Sequence, residues 1–301
     1  MNLGQVFGAV VPALLILLVG YYAGRRGYFT GEARTALNTL TLRFALPAAL
    51  FTGVAATPTK VLLSEGPLLV LLVIAVLGMF GLALLAHRLL AGRWVVVSAL
   101  AMCWSMFAFM GIPILGALSG SGAAAVPIGM EGIVVNVVLA PLGLTLLAGR
   151  QAGGVLGALR EPIAWAPLLG LACALLSVPL PGMITGALHL LGAAASAVAL
   201  IAVGVTVASM GVPRLTGGAI AITVVRLLVI PLLVFGIGVL LFGHDLAAQA
   251  ALVVAFPVSP VVMMLAAKHA PEQEQTVASA VVFSVIGSAL TLPLLIALIG
   301  H

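Results

Sequence analysis

The chain has 301 residues, of which 63% are hydrophobic and only 6% are charged, and its mean hydropathy is +1.35. This composition excludes a water-soluble globular protein and predicts an all-α polytopic membrane protein in contact with a lipid bilayer. The net charge of +5 would suggest nucleic-acid binding in a soluble protein. Here the basic residues fall in short loops, so membrane orientation explains them better and no nucleic-acid partner is expected.

The apolar segments divide the chain into ten predicted spans, since a membrane-crossing helix needs about 20 apolar residues. No basic residue precedes the first segment and no small-residue cleavage site follows it, so we expect a retained helix and not a signal peptide. The predicted spans cover 4–24, 34–54, 67–90, 94–118, 122–149, 162–178, 184–210, 217–242, 246–267 and 274–299.

The loops between these spans differ in charge on the two sides of the membrane. One side has Lys60 as its only basic loop residue, whereas the other has nine: Arg25, Arg26, Arg34, Arg88, Arg93, Arg150, Arg160, Arg214 and Lys268. Basic loops are retained in the cytoplasm. We therefore expect a multi-pass protein of the cell membrane with both termini outside the cytoplasm.

Five spans in each half imply an inverted repeat, because the second half then starts on the opposite side of the membrane. We place the first repeat at residues 1–150 and the second at 151–301. Short sequence echoes agree with this division, such as LAPLGLTLLAG at 139–149 and TLPLLIALIG in 291–300.

The fourth and ninth spans are interrupted at corresponding places. The fourth contains WSMFAFMGIP at 104–113, and the ninth contains AFPVSP at 255–260. Proline removes a backbone donor and clashes with the preceding turn, so each break frees backbone groups that need polar surroundings. A single break could be a kink satisfied by neighbouring helices, but paired breaks indicate the substrate site of a transporter.

Away from the ends of the predicted spans, three charged residues lie where burial is costly: Arg43, Glu131 and Arg226. Arg43 could instead extend towards the inner headgroups. Glu131, with Asn136 five residues on, could pair with Arg226 as a structural ion pair, carry a proton, or line an outer vestibule.

Several stretches resemble the auxin efflux carrier family, which includes the plant PIN auxin exporters and bacterial malonate carriers. They are LLVGYYAGRRGYFTGEARTALNTLTLRFALPAALF at 17–51, GIP at 111–113, IAVGVTVASM at 201–210, RLLVIPLL at 226–233 and AFPVSPVVMMLAAKHA at 255–270. The resemblance implies ten helices in an inverted repeat, with broken fourth and ninth helices that cross. It also implies a scaffold of helices 1, 2, 6 and 7, a transport unit of helices 3–5 and 8–10, and a homodimer.

The resemblance also guides the choice of site residues. The family tends to place a basic residue near Arg226, and a guanidinium suits a carboxylate. The chain departs from the family at the breaks, where Met106 and Val261 replace the usual asparagines. The predicted substrate site comprises Ser105, Met106, Gly111, Pro113, Glu131, Asn136, Arg226, Pro257, Ser259 and Pro260.

We therefore expect a secondary transporter that moves a small organic carboxylate anion by an elevator or rocking motion. Sodium-coupled bile-acid carriers are the nearer alternative, although the breaks have few of the acidic and amide side chains that sodium requires. An intramembrane enzyme would need a zinc motif or paired aspartates, and Asp245 is the only aspartate. We expect no enzymatic activity, cofactor or metal, while proton coupling and uniport both stay open.

The charge asymmetry makes a topological prediction. Single cysteines introduced at Thr30 and at Ser119 should label from opposite sides of the membrane in intact cells, because these loops are separated by three predicted spans. Equal labelling of both positions by an impermeant reagent would contradict the inverted repeat.

Overall fold

All regular structure in the described part of the chain is helical. The computed structural model describes residues 3–29, 31–56, 59–60, 66–90, 95–107, 121–148, 162–210 and 213–299. We number the helices α1 (Leu3–Arg25), α2 (Gly31–Ala55), α3 (Gly66–Leu90), α4 (Val95–Cys103), α5 (the consecutive stretches Ser121–Ile133, Val134–Leu139 and Ala140–Ala148), α6 (Pro162–Leu175), α7 (Gly182–Met210), α8 (Gly217–Phe242), α9 (His244–Val253), α10 (Pro260–His269) and α11 (Pro271–Ile299).

The lengths and surfaces of these helices are those of a polytopic membrane protein. Apolar side chains such as Leu190, Leu240 and Leu290 are exposed, as expected for helices surrounded by lipid. Six segments of the described chain are long and apolar enough to cross a membrane: Gly31–Ala55, Gly66–Leu85, Pro127–Leu147, Gly182–Ser209, Gly217–Phe242 and Pro271–Ile299.

The predicted interruption of the ninth span is confirmed, since α9 ends at Val253 and α10 begins at Pro260. In the fourth span, α4 ends at Cys103 and the helix does not continue through residues 104–106. Gly111 and Pro113, which we predicted at the first break, lie outside the described residues.

Small residues bring α1 and α7 into close backbone contact. Gly204 of α7 faces the backbone of Leu17 and Tyr21 on α1, and Gly20 of α1 faces the backbone of Ile201. Helices α6 and α7 pack on α2 in the same way, with Gly170 against the carbonyl of Phe51. Small residues are favoured at such interfaces because association between apolar helices in lipid depends on close packing. Helices α1, α2, α6 and α7 thereby form one packed group.

Three helices contain a short π-helical turn, and a proline follows each turn. The turns are Thr41–Ala45 in α2, Val134–Leu139 in α5 and Val225–Val229 in α8. Pro47, Pro141 and Pro231 each stand two residues beyond. A proline has no N–H for the carbonyl four residues back, and its ring crowds that carbonyl. The preceding turn therefore widens, and it contains the polar residues Arg43, Asn136 and Arg226 respectively.

The α1–α7 contact leads to a prediction about stability. Gly204→Ala would place a methyl group against the α1 backbone, and such overpacking costs about 1–3 kcal/mol. We expect the apparent Tm in detergent to fall by roughly 2–8 °C. Gly186→Ala on the same helix is the matched control, because a methyl group there meets no described atom within 4 Å. A Gly204→Ala variant as stable as this control would contradict the tight interface.

Candidate functional site

The two interrupted segments pair with each other through an isolated antiparallel bridge between Ser105 and Val258. The Met106 amide donates to the Pro257 carbonyl at 2.8 Å, and the Ser259 amide donates to the Trp104 carbonyl at 3.0 Å. These groups have left their own helices and complete each other's hydrogen bonding, as buried backbone requires. The predicted site residues Ser105, Met106, Pro257 and Ser259 therefore come together at one place.

Arg226 of α8 binds the carbonyls at the ends of two helices. Its Nη1 donates to the Met102 carbonyl in the last turn of α4 at 2.9 Å. Nη2 donates to the Val254 carbonyl at 2.6 Å and Nε to the Phe256 carbonyl at 2.9 Å, both just beyond α9. The side chain is only 1% exposed. A guanidinium is suited to this position because it carries five donors in a rigid fork and retains its positive charge.

The breaks explain why these carbonyls lack helical partners. In a continuous helix the carbonyl of Phe256 would accept from residue 260, which is a proline without an N–H. The carbonyl of Val254 would accept from Val258, whose amide instead donates to Ser284 Oγ of α11 at 3.1 Å. Helix C-termini also carry a partial negative charge. Arg226 therefore acts as a shared C-terminal cap for α4 and α9.

Glu131 of α5 is the anionic member of this cluster. The Ser105 hydroxyl donates to Glu131 Oε1 at 2.5 Å, and Arg226 Nη2 lies 3.9 Å from the same oxygen. Glu131 is completely buried, and its Oε2 has no hydrogen-bond partner among the described residues. Of the roles that the sequence left open for Glu131, the structure supports pairing with Arg226. We call Ser105, Glu131 and Arg226 the break cluster.

The other predicted residues lie beside the break cluster. Ser259 caps the N-terminus of α10, where its hydroxyl accepts from the Val261 amide, and Pro260 is the first residue of that helix. Asn136 is buried in α5, and its Oδ1 has no partner among the described residues. In the described chain, no hydrogen bond joins Asn136 to the break cluster.

The break cluster is closed to a substrate in this conformation. The cavity that Arg226 shares with Cys103, Ile230 and Val254 has a volume of only about 10 Å³, far below the several hundred Å³ of small-molecule sites. In this conformation Nε, Nη1 and Nη2 of Arg226 all bind carbonyls, and the contact of its guanidinium with a carboxylate substrate stays a prediction.

A much larger cavity of about 570 Å³ lies between α2 on one side and α10 and α11 on the other. We call it the basic cavity, because three of its residues are cationic and one is acidic. Glu274 forms an ion pair with Arg34 at 3.4 Å. The lining residues are Arg34, Thr35, Asn38, Thr39, Leu42, Arg43, Met264, Ala267, Lys268, Pro271 and Glu274.

The basic cavity was not predicted from the sequence. Arg34 and Lys268 were interpreted as loop charges that set orientation, and Arg43 as a candidate for extension towards the headgroups. A signal was nevertheless present, since Asn38 and Arg43 lie in the stretch 17–51 and Lys268 in the stretch 255–270, both quoted for the family resemblance.

Comparisons with known proteins relate the chain to membrane transporters. A protein family described as Membrane transport protein matches residues 5–157 and 154–296. The protein named Uncharacterized transporter YfdV from Escherichia coli K12 is 28% identical over 215 residues, which cover 67% of this chain and 68% of that protein. The proteins of the same name from Escherichia coli O157:H7 and Shigella flexneri match with the same identity and coverage.

The carbonyl contacts of Arg226 predict a large effect on stability. Arg226→Ala would leave three carbonyls and the Glu131 carboxylate without their cation, and breaking a buried pair in this way costs about 3–5 kcal/mol. We expect the apparent Tm in detergent to fall by roughly 5–15 °C. Arg43→Ala is the matched control, because Arg43 also lies in a π-helical turn but is exposed. Equal stability of the two variants would show that the cap contributes little.

Proposed function

We propose that this chain, which belongs to the Membrane transport protein family, is a secondary transporter of a small organic carboxylate anion. This family membership is the relationship that the resemblance to auxin efflux carriers predicts. Transport would proceed by alternating access. The family match favours this function over an intramembrane enzyme. Within the described residues, no group of three or more His, Cys, Asp or Glu side chains could hold a metal ion.

The basic cavity is the observation that carries the proposal. Its volume of about 570 Å³ lies within the range of about 300–1,000 Å³ for small-molecule sites. Arg34, Arg43 and Lys268 contribute three positive charges and Glu274 one negative charge, so the lining has a net charge of +2. A cleft lined mainly by one sign of charge concentrates ions of the opposite sign. The cavity therefore favours an anion over a neutral or cationic substrate.

Helix α10 connects the basic cavity with the break. Met264, Ala267 and Lys268 line the cavity from this helix, while Pro260 begins it beside the Ser105–Val258 bridge. The eight helical rises of about 1.5 Å each between Pro260 and Lys268 correspond to about 12 Å along the axis. The N-terminus of α10 carries a partial positive charge. An anion that enters among the cations would thus find a second favourable position at the break.

The position of the basic cavity suits alternating access. Helix α2 packs with α1, α6 and α7, and these four helices are the predicted scaffold. Helix α10 is the second part of the ninth predicted span and α11 is the tenth, so both belong to the predicted transport unit. Movement of one unit along the other would open or close the cavity between them. We propose that this motion occurs in an inverted repeat of ten membrane-spanning segments, with the first repeat at residues 1–150 and the second at 151–301. Both termini would lie outside the cytoplasm, and the basic cavity would face the cytoplasm. Two copies of the chain would form a homodimer.

Uptake by purified protein in liposomes tests the proposal directly. The vesicles would be offered radiolabelled malonate, succinate and indole-3-acetate, with choline as a cationic and glucose as a neutral comparison. We expect saturable uptake of at least one carboxylate and none of choline or glucose above protein-free vesicles. Transport of choline or glucose in preference to every carboxylate would refute the anion assignment.

The cations of the basic cavity make a kinetic prediction. Arg43→Gln removes an exposed charge, and such a contact contributes about 0.4–1 kcal/mol. We therefore expect the KM for the transported carboxylate to rise roughly two- to fivefold with a smaller change in the maximal rate. Arg25→Gln is the matched control, because Arg25 is exposed at the end of α1 and does not line the cavity. The same KM in both variants would remove Arg43 from the substrate path.

A further inference from the structure

We infer that Glu131 binds a co-transported proton, and that its protonation leaves the charge of Arg226 to favour an anion at the break. The inference rests on the proposed function and names the coupling ion for it. Neither the family match nor the names of the relatives assign a coupling ion.

The two oxygens of Glu131 have different surroundings. Oε1 accepts from Ser105 and lies 3.9 Å from Arg226, whereas Oε2 is buried and has no hydrogen-bond partner among the described residues. A buried polar atom without a hydrogen-bond partner is costly, and the cost is greatest when its group carries a full charge. Addition of a proton at Oε2 removes the charge and leaves the Ser105 contact to Oε1 in place. The geometry thus provides a position for one proton.

Because Arg226 is fixed in position, protonation of Glu131 changes the net charge beside the break. The guanidinium is held by three backbone carbonyls, and none of these three contacts involves Glu131. With Glu131 ionised, the charges of the pair sum to zero. With Glu131 protonated, one uncompensated positive charge remains beside the bridge between the broken segments. Charges act strongly at this depth because the effective dielectric constant is low.

Proton binding and anion binding therefore favour each other. A positive charge at the break attracts the carboxylate substrate, and a bound carboxylate in turn stabilises the protonated state of Glu131 by the same free energy, since such coupling is reciprocal. The proton comes from the water on the side where the anion binds, and it leaves to the water on the side where the anion is released. Each cycle thus moves one proton and one anion in the same direction.

Within the described chain, few titratable groups lie close enough to Glu131 to bind the proton in its place. Arg226 faces it from α8 and Ser105 from the segment after α4, while Cys103 of α4 faces Arg226. Helices α2, α3, α6 and α9 also pack against α5. Of their described charged side chains, Glu32 is exposed at the start of α2, Arg34 pairs with Glu274, Arg43 lines the basic cavity, and His244 pairs with Asp245. None of these forms a described ion pair with Glu131.

Liposomes that contain a trapped pH-sensitive dye test this inference. The probe is whichever of malonate, succinate and indole-3-acetate the wild-type protein accumulates fastest, added outside at pH values from 6.5 to 7.5. We expect wild-type protein to acidify the lumen as the labelled anion enters. Its initial rate at low anion concentration should rise by up to about tenfold for one pH unit of acidification outside, as binding of one proton requires.

Two substitutions at the same position separate proton binding from structural support. Glu131→Gln keeps an oxygen acceptor for Ser105 but cannot titrate, so we expect slower anion exchange that is independent of pH and moves no protons. Glu131→Asp retains a titratable group and should retain acidification. Glu272→Gln is the control, because Glu272 is an exposed carboxylate at the start of α11 and does not line the basic cavity; it should behave as wild type.

The outcomes distinguish this inference from the proposed function. Anion uptake by wild-type protein without acidification, or persistent acidification by Glu131→Gln, would overturn the inference and leave the proposed function intact. The absence of uptake of all three carboxylates by wild-type protein would overturn both. Loss of all anion exchange in Glu131→Gln and Glu131→Asp alike, with normal expression and Tm, would give Glu131 an essential role in the geometry of the break and overturn its role as proton carrier.

Discussion

The structure depends on how the chain satisfies backbone groups that two breaks expose in an apolar environment. Lipid offers no hydrogen bonds, so broken helices persist only where protein groups or water replace the missing partners. Here the broken segments form hydrogen bonds with each other, the Ser284 hydroxyl accepts a hydrogen bond from one amide, and Arg226 donates hydrogen bonds to three carbonyls. An aliphatic side chain in place of Arg226 would leave these carbonyls unpaired and the C-termini of α4 and α9 uncompensated. A single guanidinium therefore makes an otherwise costly backbone geometry stable.

In the proposed transporter, this use of Arg226 would divide anion binding between two places. A side chain that holds three carbonyls is fixed and can contribute electrostatic potential, but it cannot also enclose a substrate. The basic cavity has the opposite character, because Arg43 is exposed and the lining has room for a ligand. Exposed cations attract an ion with modest affinity, whereas a buried charge acts strongly over a short distance. A carrier needs both properties, since it must collect its substrate and also release it.

Sequence and structure agree where local chemistry decides the outcome. Hydropathy predicted the helices within a few residues, and Pro257 and Pro260 predicted the interruption between α9 and α10, because a missing donor acts on its own turn. The cost of placing charged groups in the membrane left pairing of Glu131 with Arg226 as one of three possible roles, whereas the contact of Ser105 with Glu131 was not predicted. The basic cavity could not be predicted in this way, because it depends on how α2 approaches α10 and α11, more than 200 residues away in the sequence. The spacing of Arg43, Asn136 and Arg226 before prolines was a missed local signal, since each lies four or five residues before one and inside a π-helical turn.

The absence of the two usual asparagines at the breaks has a physical consequence for the substrate. An amide side chain both donates and accepts hydrogen bonds, whereas the side chain of Val261 does neither and the Met106 sulfur is only a weak acceptor. Both residues are buried here, so substrate recognition at the break in the proposed transporter would rely on backbone groups, the Ser105 and Ser259 hydroxyls, and the charge of Arg226. Backbone donors and a fixed charge distinguish an anion from a neutral molecule, but they give little information about the rest of its shape. Selection among carboxylates would therefore fall to the side chains of the basic cavity, where Asn38, Thr35 and Thr39 provide the neutral polar groups.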